Sequence, residues 1–262
     1  SGVLFAPSAR VEAGGLVASS LRLSDAHFLN QNYQFTASGT QGDITNQGEI
    51  RAGQIALLGA RVRNQGSLFA PQGSVALAAG DAVRLDLGGD GLIQATVTQA
   101  AAQALAENTG RIQATGGRVS LSAKTKGDAL ATAVNTDGLI QAHGARAAEG
   151  RIFLDAGDTG RVQAAGTLDV SNPSGKGGRI VVTGDSVQIA EGARLTATGA
   201  TGGGEIAVGG SWQNTDPSLH QARYTWIAPS AVLDASATER GTGGSVVAWS
   251  NVNLAGGATR AY

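Results

Sequence analysis

The chain has 262 residues, a net charge of −1, 40 Gly, no Cys and no Met. Its near-neutral charge leaves no electrostatic footprint for nucleic acid or an anionic membrane surface, and the missing Cys removes thiolate zinc sites and disulfide staples. The Gly follow no three-residue period, so collagen is excluded, and alternating Val, Ile and Leu recur in a way that disordered chains lack.

Residues 1–23, SGVLFAPSARVEAGGLVASSLRL, form three apolar stretches separated by Pro7-Ser8 and Gly14-Gly15. SGVLFAPSARVEAGGLVAS resembles the segment after the Asn-Pro of the NP-x-G-[IV] motif in secretion domains of two-partner-secreted exoproteins, the filamentous haemagglutinin group. That resemblance implies a right-handed parallel β-helix, a dedicated outer-membrane transporter as partner, and an adhesin-like protein exported to the cell surface or medium. It also implies a fragment cut at both ends: residues 1–123 the later part of the secretion domain, residues 124–262 the first coils of a rod. With the Asn-Pro and an N-terminal cap upstream of Ser1, residues 1–262 alone are expected to fold but not to be exported.

In residues 24–45, FLNQNYQF places Asn30-Gln31-Asn32 between two alternating stretches, which reads as a hairpin covering one face of the solenoid. The resembled family has a similar "FLNGNY.F" segment outside its helix.

One phrase recurs along the chain: a branched apolar residue, a polar residue, then alanine. It reads IQA at Ile93, Ile112 and Ile140 and VQA at Val162, with looser copies at Val11, Ile50, Leu68, Leu195 and Leu233. Positions i and i+2 of a strand share a face, so the apolar residue and the alanine point together into a core. So short a strand buries that face only against its own copies. Steps of 18 (50 to 68), 25 (to 93), 19 (to 112), 28 (to 140) and 22 (to 162) suit β-solenoid coils with corner insertions. Propeller blades need about 40 residues each. The expected interior of 46–87 is Ile50, Ala52, Ile55, Leu57, Val62, Leu68, Ala70, Val75, Leu77, Val83, Leu85 and Leu87. Ile93, Ile112 and Ile140 should share one file or neighbouring files, Ile152 should point inward and Gln141 outward. Asn46 and Asn64 open successive coils and should stack into an amide ladder. Gly should take the positive-φ corners.

Residues 96–107, TVTQAAAQALAE, carry Val97, Ala100, Ala101, Ala104 and Leu105 at helical spacing, and predict a short inserted helix. Residues 124–136 read as a second extended corner. Gly116-Gly117, Gly177-Gly178 and Gly202-Gly203-Gly204 lead into strands, so they are corners and not phosphate loops; GGDG at 88–91 lacks a calcium-binding nonapeptide run. Residues 211–230 interrupt the coils again with Trp212, His220, Tyr224 and Trp226. The stretch 202–251 resembles the "GG.I.VGG…V.VWS" pattern found after the secretion domain in large exoproteins.

His27, His143 and His220 are scattered. Asp86 lies near Asp90 and Asp155 near Asp158 in sequence, Asp169 could stack beside the latter pair, and acids do not recur from coil to coil. No catalytic, cofactor-binding or metal-ligating residue is therefore assigned, and no cofactor. No apolar run is long enough to cross a bilayer. The reading is all-β: a right-handed parallel β-helix with extra-helical strands and a short helical insert, serving as a non-enzymatic part of a secreted adhesin. The alternatives are a module binding host-cell or matrix glycan through its outer face or the aromatic insert 211–227, which exposed aromatics along one groove would favour, and a carbohydrate-active enzyme, which three converging carboxylates would favour.

Overall fold

The structure is a computed structural model; it describes residues 2–39, 42–87, 92–126, 132–145, 148–255 and 259–260. The first coil is β1 (Val3–Phe5) and β2 (Arg10–Ser19). The chain then leaves the solenoid through β3 (Arg22–Leu23), α1 (Asp25–Leu29) and β4 (Gln34–Thr36). It returns as β5 (Ile44–Asn46), β6 (Glu49–Gly59), β7 (Arg61–Asn64), β8 (Ser67–Phe69) and β9 (Ser74–Ala79), and leaves again through β10 (Ala82–Asp86) and β11 (Gln94–Gln99). Three coils of three strands follow: β12 (Leu105–Asn108), β13 (Arg111–Gln113) and β14 (Arg118–Ala123); β15 (Thr132–Thr136), β16 (Leu139–Gln141) and β17 (Arg151–Asp155); β18 (Arg161–Ala164), β19 (Thr167–Asp169) and β20 (Arg179–Thr183). After β21 (Ser186–Ile189), β22 (Arg194–Thr196) and β23 (Glu205–Val208) comes an insert with a 3-10 turn at Trp212–Asn214. The last described strands are β24 (Tyr224–Ile227), β25 (Val232–Asp234), β26 (Ser245–Ala248), β27 (Asn253–Ala255) and β28 (Thr259–Arg260).

These strands stack, parallel and in register, into three walls. The first wall runs β1-β5-β7-β12-β15-β18-β21-β24-β27. The second holds the start of β6, then β8, β13, β16, β19, β22, β25 and β28; the third holds the end of β6, then β9, β14, β17, β20, β23 and β26. β2 and β6 each run through both, paired from Arg10↔Glu49 to Ser19↔Leu58. The phrase of the sequence is the second wall. Its apolar residue makes the file Val11-Ile50-Leu68-Ile112-Ile140-Leu168-Leu195-Leu233. All of these from Ile50 onward are fully buried, each stabilising the fold by roughly 1.5–3 kcal/mol through burial. Ile152 lies inside between Val119 and Ile180. Val162 carries the phrase on the first wall, between Val134 and Val187.

The Asn ladder is present. Asn46 Nδ2 donates to Asn64 Oδ1 at 2.8 Å, and Asn64 Nδ2 to Asn108 Oδ1 at 2.7 Å; all three residues are buried. The next position is Thr136, then Ala164 and Ile189, so the polar file gives way to apolar packing. Beside it the turn glycines Gly66, Gly110, Gly138 and Gly166 stack so closely that a Cβ on each would sit 2.0–2.2 Å from the preceding coil's carbonyl. Close approach of backbones, and not the expected positive φ, requires Gly at these corners; the Gly-Gly pair before β14 does use positive φ, at Gly116 (73°).

Four expectations are corrected. Residues 96–107 hold no helix: Gln94–Gln99 is β11, with Ala95 and Val97 buried and Gln94, Thr96 and Thr98 exposed. A period of two, carried by β-branched Thr96, Val97 and Thr98, prevails over the Ala spacing. Ala101 and Ala104 are simply the return into the core. The helix lies instead at Asp25–Leu29, where one arm of a hairpin was expected. Ser24 Oγ caps it by accepting the His27 N–H at 3.2 Å, with Asp25 in the first turn; Gln31 (φ 54°) then turns the chain into β4. Ile93 is outside the Ile112–Ile140 file, because β11 pairs antiparallel with β10. Val83 and Leu85 are buried with Ile93 in a second cluster outside the solenoid, and Leu87 is exposed. The GGDG stretch and residues 127–131 of the corner at 124–136 lie outside the described residues.

β3, β4, β10 and β11 form an antiparallel sheet in the order β11-β10-β4-β3. It covers the outward face of the third wall at Ala56, Leu58, Ala76 and Ala78. Both excursions, and the later insert, leave the solenoid between the third wall and the first. They therefore fold over the same outer face at different heights, and this positions the site.

Candidate functional site

Between the extra-helical sheet and the insert, the outward face of the third wall is left as a groove of 370 Å³. Its floor is Ser120 and Ser122 of β14 and Phe153 and Asp155 of β17. One side is Gln94–Val97 of β11; the other is Ser218, Leu219 and His220 of the insert. The Arg118 guanidinium lies 5.8 Å from the Phe153 ring centroid. Arg118 also borders a second hollow of 310 Å³ with Arg151, Arg179 and Lys176. Three arginines at one register position, 118, 151 and 179, form an outward file continued by Glu205, which pairs with Arg179 at 3.1 Å.

Two charged contacts fasten the insert near its C-terminal end. Arg223 forks onto the buried Asp185, Nε to Oδ1 at 2.5 Å and an Nη to Oδ2 at 2.8 Å. His220 is held between two carboxylates, Nδ1 to Asp155 at 2.7 Å and Nε2 to Asp158 at 3.0 Å. The Asp155 hydrogen bond raises the His220 pKa against the opposing effect of burial, with the charge of Asp158 adding to the rise and Lys124 opposing it. His143 Nε2 meets Asp169 at 2.8 Å, and that hydrogen bond raises its pKa likewise. Burial alone would raise Asp169, but hydrogen bonds from His143 and Ser171 outweigh it and its pKa falls. Each of these two imidazoles is thus tied to at least one carboxylate, which favours its protonated form. His27 only approaches the Gln34 carbonyl, at 3.3 Å.

Asp155 and Asp158 are therefore brought together, by His220, while Asp169 goes to His143. Neither partnership was visible in sequence, since 65 and 26 residues separate the hydrogen-bonded members. Among the described residues no group of three or more His, Asp and Glu is placed to hold a metal ion, and no helix is long and apolar enough to cross a membrane. Trp212 and Trp249 pack edge to face at 6.2 Å, and Trp212, Tyr224 and Trp226 are exposed. None of them lines the groove, whose aromatic residue is Phe153.

Three parallel walls with an antiparallel sheet laid over one of them define the class: a parallel β-helix with extra-helical strands. The TPS secretion domain model matches residues 1–170, and the chain belongs to that family, the secretion domains of two-partner secretion exoproteins. The crystal structure of the HMW1 secretion domain from Haemophilus influenzae superposes with a TM-score of 0.81 at 25% identity, covering 94% of this chain and 64% of that one. This chain thus spans a little under two thirds of that domain's length. No curated protein matches. A role in secretion across the outer membrane follows from the family.

Proposed function

We propose that this chain is the non-enzymatic secretion and founding region of an adhesin-like exoprotein. A dedicated outer-membrane transporter carries it out, and its coils then template a surface-attached rod. The observation that carries this reading is that, from coil to coil, each wall strand pairs only with the strand before and after it. Such a chain gains its contacts one coil at a time. Folding outside the cell then opposes backsliding and supplies a driving force that needs no nucleotide. In this reading residues 1–123 are read by the transporter and residues 124–262 begin the rod, within one solenoid.

The test is co-production of the exoprotein's N-terminal region, including these residues, with and without its transporter in a Gram-negative host. The protein is expected in the medium or on the cell surface only when the transporter is present. Export at the same level without it would overturn the reading.

A further inference from the structure

The inner strand of the extra-helical sheet, β10, has partners on both sides, and its hydrogen bonding fixes how β11 is turned. The Leu85 N–H donates to the Tyr33 carbonyl at 3.0 Å, so Leu85 and Val83 direct their main-chain groups toward β4. Main-chain groups alternate in direction along a strand, so Arg84 and Asp86 face β11, where they are opposite Thr96 and Gln94. Ala95 and Val97 must then turn their N–H and C=O groups to the other side, where no strand lies among the described residues. Their side chains are in the core, with Ala95 7% and Val97 2% exposed, yet both residues line the groove. It is their main chain that faces it.

This edge lacks the usual protection. QATVTQ has no Pro, no Lys and no other charge, and its one irregularity lies at the far end, opposite Ala82/Val83; unguarded edges of this kind accept added strands. There is room for one. The extra-helical sheet covers Ala56, Leu58, Ala76 and Ala78, and Val181 and Thr183 are buried beyond the gap (1% and 2% exposed). The half-exposed Ser120, Ser122, Phe153 and Asp155 between them belong to two adjacent coils. At roughly 4.8 Å per strand that gap is about 10 Å wide, and β11 borders it for four residues, about 13 Å.

The chemistry of the surround selects the occupant. Arg118 and Lys124 line the groove, and Arg151, Lys176 and Arg179 line the hollow that adjoins it through Arg118. Against these five cations stand Asp155, Glu149, Glu205 and Asp216, the last 3.6 Å from Arg179, so the surface is net positive by one in a chain of net charge −1. The buried Nε of Arg118 has no hydrogen-bond partner.

We propose that this groove takes an extended, acidic peptide segment of another protein as a fifth strand on the free edge of β11. Ala95 and Val97 supply the main-chain hydrogen bonds, and Arg118 and its neighbours receive the carboxylates. Main-chain pairing gives affinity and side-chain charge gives selectivity in this mode of recognition. The proposal stands apart from the secretion reading and needs no transporter.

The test titrates the full ¹⁵N-labelled 262-residue chain with four probes: acetyl-Val-Glu-Val-Glu-Val-Glu-Val-amide, its fully N-methylated form, the same peptide with Lys for Glu, and hexagalacturonate. The acidic peptide is expected to bind and to shift amides at 94–97 and 118–124. The N-methylated form should bind at least tenfold more weakly and the Lys peptide should not bind. Ala95→Pro removes an outward N–H while sparing the ladder to β10, and should weaken binding at least tenfold. Arg118→Glu, away from β11, should weaken it severalfold and flatten its salt dependence. Equal binding of the N-methylated form would refute strand addition. Binding of hexagalacturonate but not of the peptide would make the groove a saccharide site, and no binding by any probe at millimolar concentration would show that it is not a docking surface.

Discussion

Replacing Asn64 by Ala cuts the buried ladder at its middle rung. Asn64 accepts from Asn46 at 2.8 Å and donates to Asn108 at 2.7 Å, and its Nδ2 also approaches the carbonyls of Arg111 at 3.2 Å and Gly66 at 3.4 Å. After the change, Asn46 Nδ2 keeps the Gly48 carbonyl at 3.2 Å, but Asn108 Oδ1 loses the amide that donates to it in a place water does not reach. Net hydrogen bonds contribute about 1 kcal/mol each, and a buried orphan costs about 1–3 kcal/mol, so the expected loss is about 2–4 kcal/mol. A parallel rung on the outside, Gln47 Nε2 to Gln65 Oε1 at 2.9 Å, is exposed. Gln65→Ala should therefore change stability by no more than about 0.5 kcal/mol. Urea unfolding followed by circular dichroism gives the two differences. Because coils can open separately, native-state hydrogen exchange at Gly48, Gly66 and Gly110 should localise the Asn64→Ala loss to the second to fourth coils. A loss below about 0.5 kcal/mol, or one equal to that of Gln65→Ala, would refute the view that the ladder holds these coils together.

Thr136 ends the polar file with a buried hydroxyl that has no partner; Thr136→Val should raise stability by about 1 kcal/mol in the same urea assay. Ile152→Asp puts an unpaired carboxylate between Val119 and Ile180 and should cost at least about 4 kcal/mol, whereas Gln113→Asp, outward between Phe69 and Gln141, should shift the urea midpoint little. Gln141 is a less clean control, because its register neighbour is Asp169. The His220 clamp predicts a pH dependence. Its pKa is raised on folding, so the stabilisation is complete below the unfolded value of about 6.5 and is lost as pH rises through the folded one. Exchange of amides 211–222, corrected for intrinsic rate, should accelerate at alkaline pH, and His220→Gln should abolish that dependence.

The repeated phrase was legible because a strand of period two with Ala at its third position has few places to go except onto its own copies. The Asn file could be read from the NQG turns for the same reason. What failed was local pattern without register. IQA at Ile93 matches Ile112 and Ile140 letter for letter, yet it leads into a strand of the second excursion that pairs antiparallel outside the solenoid. The Ala spacing at 97–105 mimicked a helix because a strand ends and a return begins within one heptad. The groove was illegible for a topological reason. Its sides come from residues 94–97 and 218–220, and its floor from 118–124 and 153–155; only the shared corner from which both excursions leave brings them together.

Folding outside the cell, as proposed, draws the chain through the transporter. The most direct measurement is export through that transporter of the N-terminal region carrying either Ile152→Asp or Gln113→Asp, read as the ratio of protein outside the cell to protein stalled in the envelope. The first should stall, with residues before the fifth coil protected from external protease and those after it not exported, and the second should leave as readily as the unmodified chain. Equal export of both would contradict the claim that coil-by-coil folding supplies the drive.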